Sequence, residues 1–140
     1  MIRLIKIGRN SFRLEMDLSG AKEIIDYIGH IVNKELTQEP SIIHLKQKRE
    51  IIKKFVIEET DKDDIFEITN EQIKIDMDED VMLYFRDELQ ELFYNKCFVP
   101  ADFGTWSDPK GIRVGLDYGI IESPIYDPWV FVNLQNFLAS

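Results

Sequence analysis

Residues 11–18, Ser-Phe-Arg-Leu-Glu-Met-Asp-Leu, contain the clearest secondary-structure pattern in the chain. Charged and apolar side chains alternate strictly along this stretch, the apolar ones being Phe12, Leu14, Met16 and Leu18. A strict period of two predicts a strand with one buried face. Residues 2–7 predict a second strand, and the turn residues at 8–11 that join the two predict an N-terminal hairpin.

Two helices are predicted further along. The first has an apolar stripe at helical spacing, formed by Ile24, Ile25, Ile28, Ile31 and Val32. Its N-cap is predicted to be Asp17 or Ser19, and it ends before Pro40 because the residue preceding proline avoids the α region. The second begins in the acidic stretch 76–80, where Asp76 and Glu79 have the spacing of a capping box. Its buried stripe is predicted to be Met82, Phe85, Leu89, Leu92 and Phe93.

The segment 41–77 predicts an antiparallel meander. Strands are predicted over 41–46, 65–69 and 73–77, where β-branched and apolar residues recur. Residues 47–57 fit either a strand or a helix, and their β-branched content favours the strand. The expected fold class is therefore α+β, with a mostly antiparallel sheet, made of the N-terminal hairpin plus the meander, and two main helices packed on it.

The 140 residues have the size of one domain, so a single domain over 1–140 is expected. Within it, residues 98–128 are rich in Pro, Gly and aromatic residues and predict a loop region. A strand is predicted inside residues 112–121, and residues 129–138 predict a strand or a short helix. No internal repeat is evident in the sequence.

Composition restricts the class of protein. Apolar residues make up 44% of the chain and charged residues 31%, which is typical of a globular domain. The single cysteine, Cys97, excludes an internal disulfide and is expected to be a small buried apolar residue. The N-terminal residues lack the apolar core of a signal peptide, and no stretch approaches the length of a membrane span, so a cytoplasmic location is expected.

Charge is the most informative feature of the sequence. The net charge is −9 for the whole chain, but residues 58–91 alone contain fourteen acidic and three basic residues, a net −11. The remainder of the chain is therefore slightly basic, at +2. A concentrated negative field accelerates encounter with a basic partner and argues against direct nucleic-acid binding. The sequence thus predicts an anionic binding surface, the alternative being an acidic surface that only keeps the protein in solution.

The alternating aspartates Asp76, Asp78 and Asp80 suggest a second possibility, a small metal-dependent hydrolase. Residues 73–81 resemble the nucleophile motif of the haloacid dehalogenase superfamily, but the flanking segments do not predict its parallel sheet. A calcium loop of the EF-hand type needs Gly at its sixth position and Glu at its twelfth, and this stretch has Val81 and Asp87 there. We expect no metal or other cofactor and no catalytic residue, and the hydrolase remains an alternative.

The predicted partner-binding residues combine the acidic segments with aromatic anchors, because Trp is enriched where interfaces bind tightly. The set is Glu58, Glu59, Asp61, Asp63, Asp64, Asp78, Glu79, Asp80, Asp87, Glu91, Trp106 and Trp129.

The opening third of the chain also resembles a known class of proteins. The hairpin over 2–18, the helix beginning Ser-Gly-Ala-Lys-Glu-Ile-Ile-Asp-Tyr-Ile at residue 19, and the strand at 42–45 are similar to the small cytoplasmic immunity proteins of bacterial toxin–immunity systems. The resemblance implies a non-enzymatic, acidic protein that neutralises a basic toxin or nuclease. A phage-encoded inhibitor or nucleic-acid mimic would have the same physical properties, and the sequence leaves the oligomeric state open.

Overall fold

The computed structural model describes residues 1–62, 64–95 and 101–121. Asp63, Cys97 and Trp129, with the segment predicted over 129–138, lie outside the described residues. The elements are β1 (Ile2–Gly8), β2 (Ser11–Met16), α1 (Leu18–Val32), β3 (Ser41–Lys46), β4 (Arg49–Glu59), β5 (Phe66–Ile68), β6 (Gln72–Met77), α2 (Glu79–Asn95), β7 (Ala101–Ser107) and β8 (Arg113–Ile120). The α+β class is confirmed, and residues 49–59 form the strand that their β-branched content favours.

The eight strands form one mixed sheet in the order β5-β6-β4-β3-β1-β2-β8-β7. Each consecutive pair, β1–β2, β3–β4, β5–β6 and β7–β8, is an antiparallel hairpin. Neighbouring hairpins join through parallel pairs, β1–β3, β2–β8 and β4–β6. The prediction of a mostly antiparallel sheet is therefore wrong, and so is the meander over 41–77. Alternating apolar residues determine which face of a strand is buried, but they do not determine which strand lies beside it.

The two edge strands of this sheet approach each other. Ile65, next to β5, forms a parallel bridge with Ser107 of β7. The Ser107 amide donates to the Asp64 carbonyl at 3.0 Å, and the Trp106 indole N–H donates to the Asp76 carbonyl at 2.9 Å. We call this junction the seam. The sheet is consequently curved until it is nearly a barrel, which leaves little of either edge open to another strand.

The fold repeats itself after 61 residues, although the sequence shows no repeat. Ser11 pairs with Gly115 between β2 and β8, and Gln72 pairs with Lys54 between β6 and β4. Gln72 lies 61 residues after Ser11, and Lys54 lies 61 residues before Gly115, so the two pairs are equivalent. The Ile121 amide donates to the Met16 carbonyl, as the Thr60 amide donates to that of Met77. The chain is therefore two ββαββ units, which we call the first and second halves, related by an approximate twofold axis.

The two helices occupy equivalent positions in this arrangement and pack against each other. Asp17 caps α1 by accepting a hydrogen bond from the Gly20 amide at 2.7 Å. Asp78 accepts one from the Val81 amide at 2.7 Å at the start of α2, so this residue, and not the predicted pair Asp76 and Glu79, caps the second helix. Both helices place fully buried side chains in the core with the inward-facing residues of the sheet, at equivalent positions: Ala21 and Met82, Ile24 and Phe85, Ile28 and Leu89.

Candidate functional site

An acidic groove lies where β4 ends and α2 begins. Because β4 and β6 run parallel and Glu59 pairs with Met77, the residues that follow both strands meet at the same edge of the sheet. The groove has a volume of about 840 Å³ and is lined by Glu58, Glu59, Thr60, Asp61, Lys62, Asp78, Glu79 and Asp80. Six of the predicted partner-binding residues are thus brought together from two separate parts of the chain.

The groove is strongly negative, since six exposed carboxylates face one ammonium group there. Among the described residues, Glu58 is the only one of the six that forms an ion pair, with its Oε2 3.3 Å from the Nζ of Lys74. Asp78 uses its carboxylate to cap α2. Carboxylates that have no cationic neighbour repel one another, so the groove costs stability and attracts cations.

Asp76 lies behind this groove and does not line it. Its side chain is 8% exposed, on the sheet face that also carries Glu58, its partner in the β4–β6 register. Burial raises the pKa of Asp76. Lys74, whose Nζ is 3.8 Å from the carboxylate, opposes that rise, and the nearby acids Glu58, Asp64 and Glu67 add to it.

The three aspartates proposed as metal ligands consequently do not converge. Asp76 is buried behind the groove, whereas Asp78 and Asp80 line it. Over residues 1–62, 64–95 and 101–121, no group of three or more His, Cys, Asp and Glu side chains is placed to hold a metal ion.

The exposed face of α2 continues the acidic surface. Tyr84, Asp87, Glu91 and Tyr94 are spaced by three or four residues and all four are exposed, so they form one stripe along the helix. The stripe starts one turn after Asp80 of the groove. The two tyrosines are 59% and 78% exposed. Asp87 and Glu91 therefore lie where the sequence predicts them, on a solvent-facing surface.

The exposed aromatic side chains on this surface do not include the predicted Trp106. Trp106 is 5% exposed and belongs to the hydrophobic core. Its indole ring packs edge-on against Phe103, with centroids 4.8 Å apart, and its N–H is used at the seam. Trp106 is therefore too buried to be part of an exposed surface, and the exposed aromatic side chains beside the acidic residues of α2 are Tyr84 and Tyr94. Sequence reasoning could have found both tyrosines, because they fall outside the apolar stripe of α2.

Asp64 is also separate from the groove. It lines a different cavity of about 520 Å³ along the seam, together with Trp106, Ser107 and Arg113. The described acidic residues of the predicted set therefore divide among the groove, the α2 stripe and, for Asp64, the seam. Asp61 and Asp64, three residues apart, line different cavities.

The approximate twofold axis offers an internal comparison for the groove. The positions equivalent to Glu58 and Glu59 are Gly119 and Ile120, and those equivalent to Glu79 and Asp80 are Leu18 and Ser19. A similar backbone arrangement thus forms where β8 ends and α1 begins without these four acids. Asp17, the position equivalent to Asp78, is acidic but buried. The fold therefore does not require the four acids of the groove.

Within the described part of the chain, neither helix is long and apolar enough to cross a membrane. Comparison of the chain with protein-family models, with curated protein sequences and with solved structures finds no match. Function is therefore inferred from the groove and the α2 stripe themselves.

Proposed function

We propose that the chain is a non-enzymatic binding protein whose acidic groove and α2 stripe take a basic protein partner. The observation that supports this most directly is the set of exposed carboxylates in the groove, four of which have no acidic counterpart at the equivalent positions where β8 ends and α1 begins. An immunity protein or inhibitor that neutralises a basic toxin or nuclease is the specific form of this proposal. The resemblance of residues 2–45 to small immunity proteins agrees with it.

The two parts of this surface have different physical roles. The groove carboxylates provide a long-range field, which raises the rate of encounter with a basic partner and weakens as salt is added. The two tyrosines provide apolar area together with a hydroxyl group, and tyrosine is enriched among the residues that dominate binding energy. A partner that contacts both would bind quickly through the groove and be retained by the stripe.

Capture of the partner from cells that express the chain naturally tests the proposal. The tagged protein is incubated with lysate at low salt, and bound proteins are eluted by a salt step and identified. We expect a basic protein to elute. Replacing Glu59→Gln, Asp61→Asn and Glu79→Gln together should weaken its binding by about tenfold or more at low salt, since close interfacial charge pairs couple by roughly 1.5–7 kcal/mol.

The matched control removes three negative charges elsewhere. Glu23→Gln, Glu39→Gln and Glu71→Gln change exposed side chains outside the groove, so the net charge is identical in the two triple variants. The control should keep the partner within about twofold, because distant exposed charges are screened. Equal losses in both variants, or no basic protein in the eluate, would contradict the proposal.

A further inference from the structure

The end of the sheet opposite the acidic groove is basic. Strand β4 begins at Arg49 and reaches the groove at Glu58 and Glu59, so its first residues lie at the other end of the molecule. Lys53 and its cross-strand partner Ile42 are both buried there, and His44 faces the same side of β3 as Ile42. A sequence with a net charge of −9 gives no indication that its inner sheet face carries cationic residues.

Lys53 is 7% exposed, and its ammonium group donates to the Thr69 carbonyl at 2.6 Å. No carboxylate in the described ranges lies within ion-pair distance of it. Lysine is almost never buried without an acidic partner. Burial lowers the pKa of Lys53, and the charge of Lys46 lowers it further.

His44 adds to this environment. It is 7% exposed, and its Nδ1 is buried with no hydrogen-bond partner among the described residues. Burial lowers the pKa of His44, and the positive charges of Lys53 and Lys46 contribute in the same direction. Buried polar atoms are nearly always paired, so an unpaired nitrogen near an ammonium group that has no carboxylate partner in the described part of the chain marks a place that favours negative charge.

A cavity of about 440 Å³ is lined by Thr69, the hydrogen-bond partner of Lys53, although neither Lys53 nor His44 lines it. One wall is apolar, with Phe12, Phe66 and Ile68, and the two phenyl rings are 5.4 Å apart. Lys6 and Arg9 line the rim of the cavity, and Thr69, which accepts the Lys53 hydrogen bond, lines it as well.

Further charged residues line the same cavity. Lys110 contributes a third cation, and Glu67 and Asp108 contribute two carboxylates. Asp108 is engaged by its own loop, since its Oδ1 accepts from the amides of Lys110 and Ile112.

The fold does not require cations at this end. The position equivalent to Lys53 in the second half is Val114. Strand β5 is displaced by one residue from the 61-residue repeat, so Lys6, which pairs with Phe12, corresponds to Ile68, which pairs with Ile73. Apolar residues therefore satisfy the same packing in the second half. Packing therefore does not require a lysine at position 6 or at position 53.

We propose that this cavity is a binding site for a small amphiphilic anion. Its apolar part would lie against Phe12, Phe66 and Ile68, and its acid group would lie toward Lys6 and Arg9, in the positive field of Lys53. The volume falls in the range of small-ligand sites, which are mostly apolar with a few polar groups that fix orientation. This site is independent of the groove and of any protein partner.

Titration with 8-anilinonaphthalene-1-sulfonate, an aromatic anion that fluoresces when bound, tests the proposal on the full chain. We expect saturable binding to the folded protein. The double variant Lys6→Gln/Arg9→Gln should bind about tenfold more weakly or worse, because charge-assisted hydrogen bonds are lost. Both side chains are exposed, so their replacement does not disturb the core.

The control variant Lys22→Gln/Lys54→Gln removes the same charge from exposed positions outside the cavity and should bind within about twofold of the wild type. Circular dichroism establishes that each variant is folded. Absence of saturable binding, or equal weakening in both double variants, would overturn the site. Decanoate should displace the dye whereas inorganic phosphate should not, and displacement by phosphate alone would overturn the amphiphilic class of ligand.

Discussion

Four polar or charged residues are buried in the described part of the chain: Asp17, His44, Lys53 and Asp76. Asp17 is fully used in the fold, because it caps α1. Lys53 and His44 lie near each other on the inner face and have no acidic partner there, whereas Asp76 lies on the other face beside Lys74. Lys53, His44 and Asp76 lower the stability of the folded chain in ways that depend on pH, since each of the three has a perturbed pKa.

The two histidines provide a test of this effect. Because the pKa of His44 is lowered from 6.5 by burial, the unfolded chain binds a proton more readily than the folded chain just below that pH. Stability should therefore fall as the pH drops from about 7.5 to about 5.5, in part because of this residue. His44→Leu should lose less stability over that interval than the wild type, as measured by urea unfolding at both pH values.

His30→Gln is the control for this measurement. The His30 side chain is 45% exposed and lies beside Glu35, with 3.3 Å between Nδ1 and Oε2. The control should retain the pH dependence that His44→Leu reduces. If His44→Leu loses as much stability as the wild type between the two pH values, His44 is not the buried titrating group.

Helix α1 contains two glycines that should respond to the same substitution in opposite ways. A methyl group on Gly20 would collide with the Met1 carbonyl and approach the Ile2 side chain, whereas one on Gly29 would meet nothing within 4 Å. Gly20→Ala should cost about 1–3 kcal/mol, the usual penalty for overpacking. Gly29→Ala should add up to about 1 kcal/mol, because alanine is the better helix former. Urea unfolding of both variants measures the difference.

The pair forms its own control, since the amino-acid change is the same and both glycines are in one helix. If Gly20→Ala did not destabilise the chain, α1 would not approach Met1 and Ile2 as closely as the structure shows. Destabilisation by Gly29→Ala would contradict the open space at that position.

The individual elements could largely be predicted from the sequence. Alternation predicts β2, and helical spacing predicts the buried faces of both helices. Residues 47–57 stayed ambiguous because the turn that starts β4 has no turn residues: Gln47 and Lys48 both adopt positive φ, at 51° and 65°, a conformation usually taken by Asn or Gly. The parallel pairs could not be predicted, because they depend on contacts between hairpins that are distant in the sequence.

The candidate site was predictable to a similar extent. Charge density indicates the acidic surface, and the parallel pairing of β4 with β6 explains why Glu58 and Asp78 meet in one groove. The burial of Trp106 could not be predicted, because it depends on the closure of the sheet at the seam. The basic cavity was hidden by the overall negative charge, since its cations, Lys6, Arg9 and Lys110, come from β1, the turn after it and the loop before β8.

The eight-stranded sheet closes at the seam, where few backbone hydrogen bonds join the β5 edge to the β7 edge. Trp106→Phe keeps an aromatic ring in the core but removes the hydrogen bond to the Asp76 carbonyl. We expect a loss of about 1–3 kcal/mol, the cost of leaving a buried polar group unpaired. Amide hydrogen exchange at Ser107, which donates across the seam, should accelerate in this variant.

Phe103→Leu is the comparison for the seam. Phe103 packs against Trp106 and Phe85 but makes no seam hydrogen bond. Its replacement should lower global stability without selectively accelerating exchange at Ser107. Equal exchange at Ser107 in the two variants would mean that packing, and not the indole hydrogen bond, keeps the edges together.

The approximate twofold axis relates two halves of one chain, and this affects how many different binding surfaces the protein can have. Two identical subunits assembled in the same way would have to display every patch twice, once on each copy. In one continuous chain, each half can change independently as long as the pairings between the halves persist. The described residues accordingly form one acidic groove at one end of the sheet and one basic cavity at the other. The proposed protein partner and the proposed small anion would therefore not compete for the same surface.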